Sequence, residues 1–174
     1  AEMARAVEQL ELSGVSLDPT RPSDRRHYPL YAKAAELGVP VVLTLGPNVG
    51  TIGESQDPAH IDRIACDFPD LTIVCSHAAW PNPRDFVTLA YRRPNVYVEG
   101  SIYQFFPGAE PFIAAAEDLV REKMLYASAF PTVLSIPGDI NTASTDGSIM
   151  VITFGISSIP GIGPSMYPWS TAIT

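Results

Sequence analysis

The amino-acid sequence predicts an α/β fold built from parallel βα repeats. Short β-branched segments recur about every 23 to 32 residues, one helical segment lies between each neighbouring pair, and polar residues follow the strand segments. Strands joined through a helix pair in parallel. A closed eight-stranded barrel needs roughly 250 residues, and this chain has 174. The pattern therefore fits either an open doubly wound sheet or the C-terminal five strands of a truncated TIM (β/α)8 barrel.

The helices are predicted from apolar spacing and from residues that start or stop a helix. The predicted helical segments are 2–12, 24–37, 57–68, 81–91 and 110–121. In the second segment, Ser23 or Asp24 is placed to cap the helix, and Leu30, Ala34 and Leu37 fall on one face. That face is predicted to be buried.

The predicted strands supply one candidate position each for chemistry. The strand segments are 15–17, 41–45, 71–76, 96–99 and 124–127. The carboxyl ends of parallel strands carry the active sites of βα barrels. The residues at those ends are Asp18, Thr44, His77, Glu99 and Ala129. Their convergence at one rim is an expectation from topology.

His77 is the first candidate for catalysis, because an imidazole acts as acid, base or metal ligand near neutral pH. Asp18 is the second catalytic candidate, and an Asx turn before Pro19 is the alternative interpretation of that carboxylate. With Glu99, the three side chains would permit general acid–base chemistry. We therefore predict a site centred on His77.

Three residues are predicted to bind substrate: Trp80, Arg84 and Glu99. Trp80 would wall an apolar or aromatic pocket, and Arg84 would bind a carboxylate through two hydrogen bonds. The alternatives, which fit the sequence equally well, are that Trp80 packs at the start of a helix and that Arg84 is solvated. The sequence contains no His-x-His, His-Glu-x-x-His or Cys-x-x-Cys spacing for a metal.

Composition limits the class of protein. The hydrophobic share of 46% and the charged share of 17% suit one soluble globular domain. The formal net charge of −8 argues against nucleic acid and anionic membranes as partners. Cys66 and Cys75 are predicted to be buried, unpaired thiols, which suits a cytoplasmic location. A small organic acid is the expected partner, and a homo-oligomer is possible.

We expect different things of the two ends of the sequence. The chain does not open with methionine, so a fragment or a processed piece is expected. Residues 1–135 are predicted to form the βα domain. Residues 136–174 form an atypical tail whose only charged residues are Asp139 and Asp146. A frameshifted or non-native terminus and an unusual loop both fit that tail.

Several motifs in this order resemble the amidohydrolase-related family, the amidohydrolase 2 group that includes aminocarboxymuconate-semialdehyde decarboxylase-like enzymes. The resemblance covers about residues 3–135. The matching segments are YPLYAKAAELGVPVV at 28–42, DPAHIDRIA at 57–65, FPDLTIVCSHA at 68–78, RPNVYV at 93–98 and KMLYASAFP at 123–131.

The resemblance implies a (β/α)8 barrel that acts as a hydrolase or non-oxidative decarboxylase on carboxylated or aromatic small molecules. It also implies one divalent metal, commonly zinc, held by a His-x-His pair on the first strand, histidines on the fifth and sixth, and an aspartate on the eighth. His77 matches the sixth-strand histidine, whereas Thr44 and Ala129 stand at the fifth-strand and eighth-strand positions. Strands one to three have no counterpart here. Because zinc needs about three protein ligands, the implied metal site is incomplete.

Three hypotheses follow. The first is an amidohydrolase-like hydrolase or decarboxylase with His77 as acid or base, Asp18 as an auxiliary group and Arg84 as a carboxylate anchor. The second is a non-catalytic family member that works by binding or oligomer contacts, which the residues Thr44 and Ala129 favour. The third is a bare fragment whose open sheet edge leads to association.

Overall fold

The computed structural model describes residues 2–47 and 53–127. Their strands form one five-stranded parallel sheet. The strands are β1 (Val15–Leu17), β2 (Val41–Thr44), β3 (Ile73–Ser76), β4 (Val96–Glu99) and β5 (Met124–Leu125). The helices are α1 (Glu2–Leu10), α2 (Tyr28–Leu37), α3 (Pro58–Asp67), α4 (Pro83–Arg92) and α5 (Glu110–Glu117). Short 3-10 helices lie at Arg25–His27, Ser101–Phe105 and Arg121–Lys123.

The order of the strands decides between the two predicted architectures. Strands that are consecutive in the chain are neighbours throughout the sheet, in the order β1-β2-β3-β4-β5. Right-handed crossovers without a reversal of strand order place every connecting helix on the same face. A doubly wound sheet reverses its order and carries helices on both faces. The described residues are therefore an arc of a (β/α)8 barrel, and the partial-barrel prediction is confirmed.

The core lies between the sheet and its helices. Alternate strand residues point to one face, and the rows Val41–Ile73–Val96 and Leu43–Cys75–Val98 are fully buried against the helices. The largest helix residues in this core are Tyr31, Ile61, Ile64, Phe86 and Phe112. This layer fixes the height and orientation of the strand ends.

The opposite face of the sheet ends in a row of polar residues. The register pairs Thr44 with Ser76, and it continues by one residue so that Asp18 falls beside Thr44 and Glu99 beside Ser76. In a complete barrel this face is the interior. Four neighbouring strands thus bring polar side chains to one level at the carboxyl edge.

The predicted apolar face of α2 needs correction. The Asp24 side chain accepts a hydrogen bond from the Arg26 backbone N–H and caps the 3-10 helix, so α2 begins only at Tyr28. Leu30 is 38% exposed, whereas Tyr31 and Ala34 are fully buried. The Tyr31 hydroxyl donates to the Pro22 carbonyl at 2.9 Å, and that buried contact fixes the rotation of the helix.

The two cysteines differ, so the prediction that both are buried is wrong for Cys66. In α3 the buried residues are Ile61, Ile64 and Ala65. One helical step of 100° beyond Ala65 turns Cys66 to solvent, where it is exposed. Cys75 lies in β3 and is fully buried, and this burial raises the pKa of its thiol.

The predicted boundary at residue 135 and the tail at 136–174 lie outside the described residues. Among the helices of residues 2–47 and 53–127, none has the length and apolar character to cross a membrane.

Candidate active site

The His77 side chain stands at the carboxyl end of β3 in an uncommon backbone conformation. Its φ is +68°, a left-handed value that non-glycine residues adopt rarely. The imidazole meets the Tyr103 ring edge-on, with centroids 5.1 Å apart. On another side it lies against Gly46, where a Cβ atom would be 2.5 Å from the His77 Nδ1. The ring is half-buried, so it is held by the protein and still reaches solvent.

A buried carboxylate lies beside His77. Glu99 is 4% exposed and ends β4. Its Oε1 accepts hydrogen bonds from the Ser76 hydroxyl, from the Ser101 hydroxyl at 3.0 Å and from the His77 backbone N–H at 3.3 Å. Its Oε2 accepts from the Ser101 hydroxyl at 2.8 Å. Buried polar groups are normally satisfied in this way, and both carboxylate oxygens have partners within the protein.

Three aromatic side chains form a wall beside His77. This aromatic wall consists of Trp80, Tyr103 and Phe106. Trp80 stacks on Tyr103 at an interplanar angle of 13° with centroids 6.1 Å apart. Phe106 meets both rings edge-on, at 5.8 Å from Trp80 and 5.0 Å from Tyr103. Tyr103 is buried, and desolvation raises the pKa of its phenol, so the hydroxyl stays neutral.

The structure places the five predicted site residues in three different surroundings. It gathers His77, Trp80 and Glu99 around the end of β3. Asp18 is exposed beyond β1, two strand spacings or about 10 Å across the sheet from β3. It lines an open groove with Arg21, Arg26 and Glu54.

Arg84 lies in a different groove. It is exposed in the first turn of α4, and the groove also contains Asp85 and Glu110. The roles assigned to all five residues stay predictions, because no bound molecule identifies a ligand.

Sequence reasoning missed four residues of this site: Ser76, Ser101, Tyr103 and Phe106. The period of two along a strand is the signal for Ser76, since it falls level with Glu99 on the same face. Ser101 follows Glu99 by two residues, but its φ of +47° is what turns its hydroxyl back to the carboxylate. For Tyr103 the sequence offers no signal.

Comparison with known proteins identifies the family. A family model described as amidohydrolase matches residues 1–139. The chain belongs to the amidohydrolase family. Among curated proteins, none matches this amidohydrolase sequence.

Solved structures agree with the barrel assignment. An uncharacterised TIM-barrel protein from Bordetella bronchiseptica is 37% identical, with a TM-score of 0.69 over 75% of this chain and 49% of its own. A dihydroorotase from Campylobacter jejuni is 16% identical, with a TM-score of 0.58 over 73% of this chain and 46% of its own.

A 4-oxalomesaconate hydratase from Rhodopseudomonas palustris is 18% identical, with a TM-score of 0.51 over 78% of this chain and 47% of its own. The dihydroorotase and the hydratase share the fold alone with this amidohydrolase. The chain spans about half the length of these three solved structures.

The family is metal-dependent in general, so the donors at this rim decide whether these residues fit a metal. Thr44 offers a hydroxyl, and the Glu99 carboxylate already accepts from three donors. Within residues 2–47 and 53–127, no three His, Cys, Asp or Glu side chains come close enough to hold a metal ion. Zinc takes about three protein ligands. The described residues therefore do not fit a zinc site by themselves.

Proposed function

We propose that this amidohydrolase is a hydrolase or non-oxidative decarboxylase that acts on a small carboxylated organic or aromatic compound. His77 is the acid–base group of the reaction. The observation that carries the proposal is the position of its imidazole, which is half-buried at a strand end between Gly46 and Tyr103. A fixed ring that still reaches solvent can exchange a proton with a molecule bound at this rim.

The surroundings of His77 support an organic acid with an apolar or planar part. The aromatic wall offers the half-buried indole of Trp80 and the 39% exposed ring of Phe106. Flat aromatic surfaces bind apolar groups by burial and by stacking. Arg84 and Asp18, which line two grooves apart from the end of β3, keep the proposed roles of carboxylate anchor and auxiliary polar group.

His77 alone supplies the proton transfer in this proposal. In a hydrolysis, the neutral imidazole takes a proton from the attacking water and later returns it to the leaving group. In a decarboxylation, the imidazolium delivers a proton to the carbon that loses CO2. Both steps need only one titrating side chain at hydrogen-bond distance from the reacting atom.

Substitution of His77 tests the proposal. The chain is incubated with a panel of aromatic carboxylates, lactones and cyclic amides, and products and CO2 are measured by mass spectrometry. Loss of an acid–base group costs roughly 10²- to 10⁴-fold in rate, so kcat of His77→Gln should fall by at least about 100-fold.

His60→Gln is the matched control, because His60 lies in the first turn of α3, where its Nδ1 and the Ser23 hydroxyl share a hydrogen bond of 2.6 Å. The control should keep kcat within a few-fold of the unsubstituted protein. Equal turnover by His77→Gln and His60→Gln would rule out the role assigned to His77.

A second candidate function is binding without turnover. The residue Thr44 favours it, because a threonine stands where the resemblance expects a metal-binding histidine. In that case calorimetry detects binding of a carboxylated compound, the panel gives no product, and His77→Gln weakens binding only modestly. Homo-oligomer formation through β1 or β5, the outermost strands among residues 2–47 and 53–127, belongs to the same candidate, and sedimentation velocity measures it. A cytoplasmic location remains part of either proposal.

A further inference from the structure

Two residues with left-handed backbone contact the same carboxylate. His77 has φ +68° and Ser101 has φ +47°, and they follow the neighbouring strands β3 and β4. Among residues 2–47 and 53–127, the third non-glycine residue with positive φ is Glu11, at the end of α1. Such conformations are strained and persist where surrounding contacts compensate for the strain. His77 and Ser101 must therefore have contacts that stabilise their left-handed backbone.

Glu99 provides those contacts. Its Oε1 accepts from the His77 backbone N–H at 3.3 Å, and the Ser101 hydroxyl donates to both of its oxygens. The Glu99 backbone carbonyl also accepts from the Ala78 N–H at 2.8 Å. Glu99 thus accepts hydrogen bonds from the backbone N–H groups of two consecutive residues, His77 through its side chain and Ala78 through its own carbonyl.

We propose that Glu99 is a positioning residue that holds the left-handed turn at His77 and thereby sets the direction of the imidazole. The role rests on the proposed acid–base function of His77, and it requires no contact between Glu99 and substrate. The Ser76 and Ser101 hydroxyls hold the carboxylate in place. Without the carboxylate, His77 relaxes towards ordinary β-region backbone and its ring leaves Gly46 and Tyr103.

The experiment compares substitutions of Glu99 with the same substitutions at an exposed glutamate. Glu99→Met keeps the length of the side chain without an acceptor, and Glu99→Gln keeps one neutral acceptor oxygen. Glu110→Met and Glu110→Gln are the matched controls, because Glu110 is exposed in the first turn of α5. Near-UV circular dichroism establishes that each variant is folded.

NMR of histidine-labelled protein gives a readout that does not depend on turnover. The His77 signals are assigned with His77→Gln, His27→Gln and His60→Gln. The Tyr103 ring, 5.1 Å from the imidazole, imposes a ring-current shift on the His77 Cε1–H. That signal and the His77 backbone N–H should move most in Glu99→Met, less in Glu99→Gln, and little in either Glu110 variant.

Unchanged His77 signals in a folded Glu99→Met protein would overturn the proposal. If Glu99→Met does not fold, Glu99→Gln against Glu110→Gln decides in the same way. Where turnover is found, misplacement of a catalytic group costs up to about 10²-fold, and the loss should fall on kcat more than on KM. If His77→Gln keeps full turnover while Glu99→Met still moves the ring, the acid–base function fails and the positioning role stands.

Discussion

The imidazole of His77 lies directly against the α-carbon of Gly46, so that a methyl group there would come within 2.5 Å of Nδ1. The side chain at the end of β3 therefore has room only because the loop after β2 has a glycine at position 46. A larger residue at position 46 would meet the proposed catalytic ring itself. Its Cβ would also lie 3.2 Å from the His77 Cβ.

Gly46→Ala should therefore displace the His77 ring. Overpacking of this kind costs about 1–3 kcal/mol, which urea denaturation measures as a fall in the free energy of unfolding. A double-mutant cycle with His77→Ala isolates the contact. The penalty of Gly46→Ala should shrink when His77 is already truncated, and equal penalties in both backgrounds would contradict the contact.

Asn95 should stabilise the turn between α3 and β3. Its Nδ2 donates to the backbone carbonyls of Phe68 and Leu71, each at 3.0 Å. Asn95→Ala removes these two bonds and a longer one of 3.4 Å to the Ala65 carbonyl, and the expected loss of stability is about 1–3 kcal/mol. Asn82→Ala is the control, because the Asn82 amide makes one longer bond of 3.4 Å to the Gln56 carbonyl. A loss for Asn82→Ala as large as for Asn95→Ala would contradict this interpretation.

The two thiols should react at very different rates with an aromatic disulfide reagent. Cys66 is exposed, whereas Cys75 is fully buried and has a raised thiol pKa. The thiolate is the reactive form, so the native protein should release one equivalent of reporter quickly and the second only in denaturant. Cys66→Ser should abolish the fast phase, and Cys75→Ser should leave it intact. A fast phase that survives in Cys66→Ser would exclude this assignment.

Stability should fall in alkaline solution through Tyr31. Burial raises the pKa of its phenol well above the usual value of about 10. Above that value the unfolded chain loses the proton and the folded chain keeps it, so the free energy of unfolding decreases as pH rises. The slope from one such group is at most about 1.4 kcal/mol per pH unit.

Tyr31→Phe should flatten this decline between about pH 10 and 11. Tyr91→Phe is the control, since Tyr91 is 66% exposed, and it should keep the slope of the unsubstituted protein. The buried Cys75 thiol contributes with the same sign in all three proteins and cancels from the comparison. Equal slopes for the two variants would contradict a raised pKa of the Tyr31 phenol in the folded protein.

Local signals in the sequence predicted much of the fold correctly. Gly38 ends α2 with φ +66°, and the Asp57 side chain caps α3 by accepting from the Ala59 N–H. These outcomes depend on neighbouring residues only. On α2 the sequence predicted Ala34 and Leu37 correctly and Leu30 wrongly, because Leu30 fits the helical spacing as well as Tyr31 does. The contact of Tyr31 with Pro22 is made across a loop.

The sequence by itself determined the alternation of strands and helices, the family and the position of His77 at the end of a strand. Each of these follows from apolar spacing or from short runs of neighbouring residues. Only the tertiary structure decided that Glu99 is bonded to Ser76, Ser101 and the His77 backbone, and that Trp80 stacks on Tyr103. The physical reason is that parallel strands bring residues more than 20 positions apart to one edge, where strand register and backbone φ set which atoms meet.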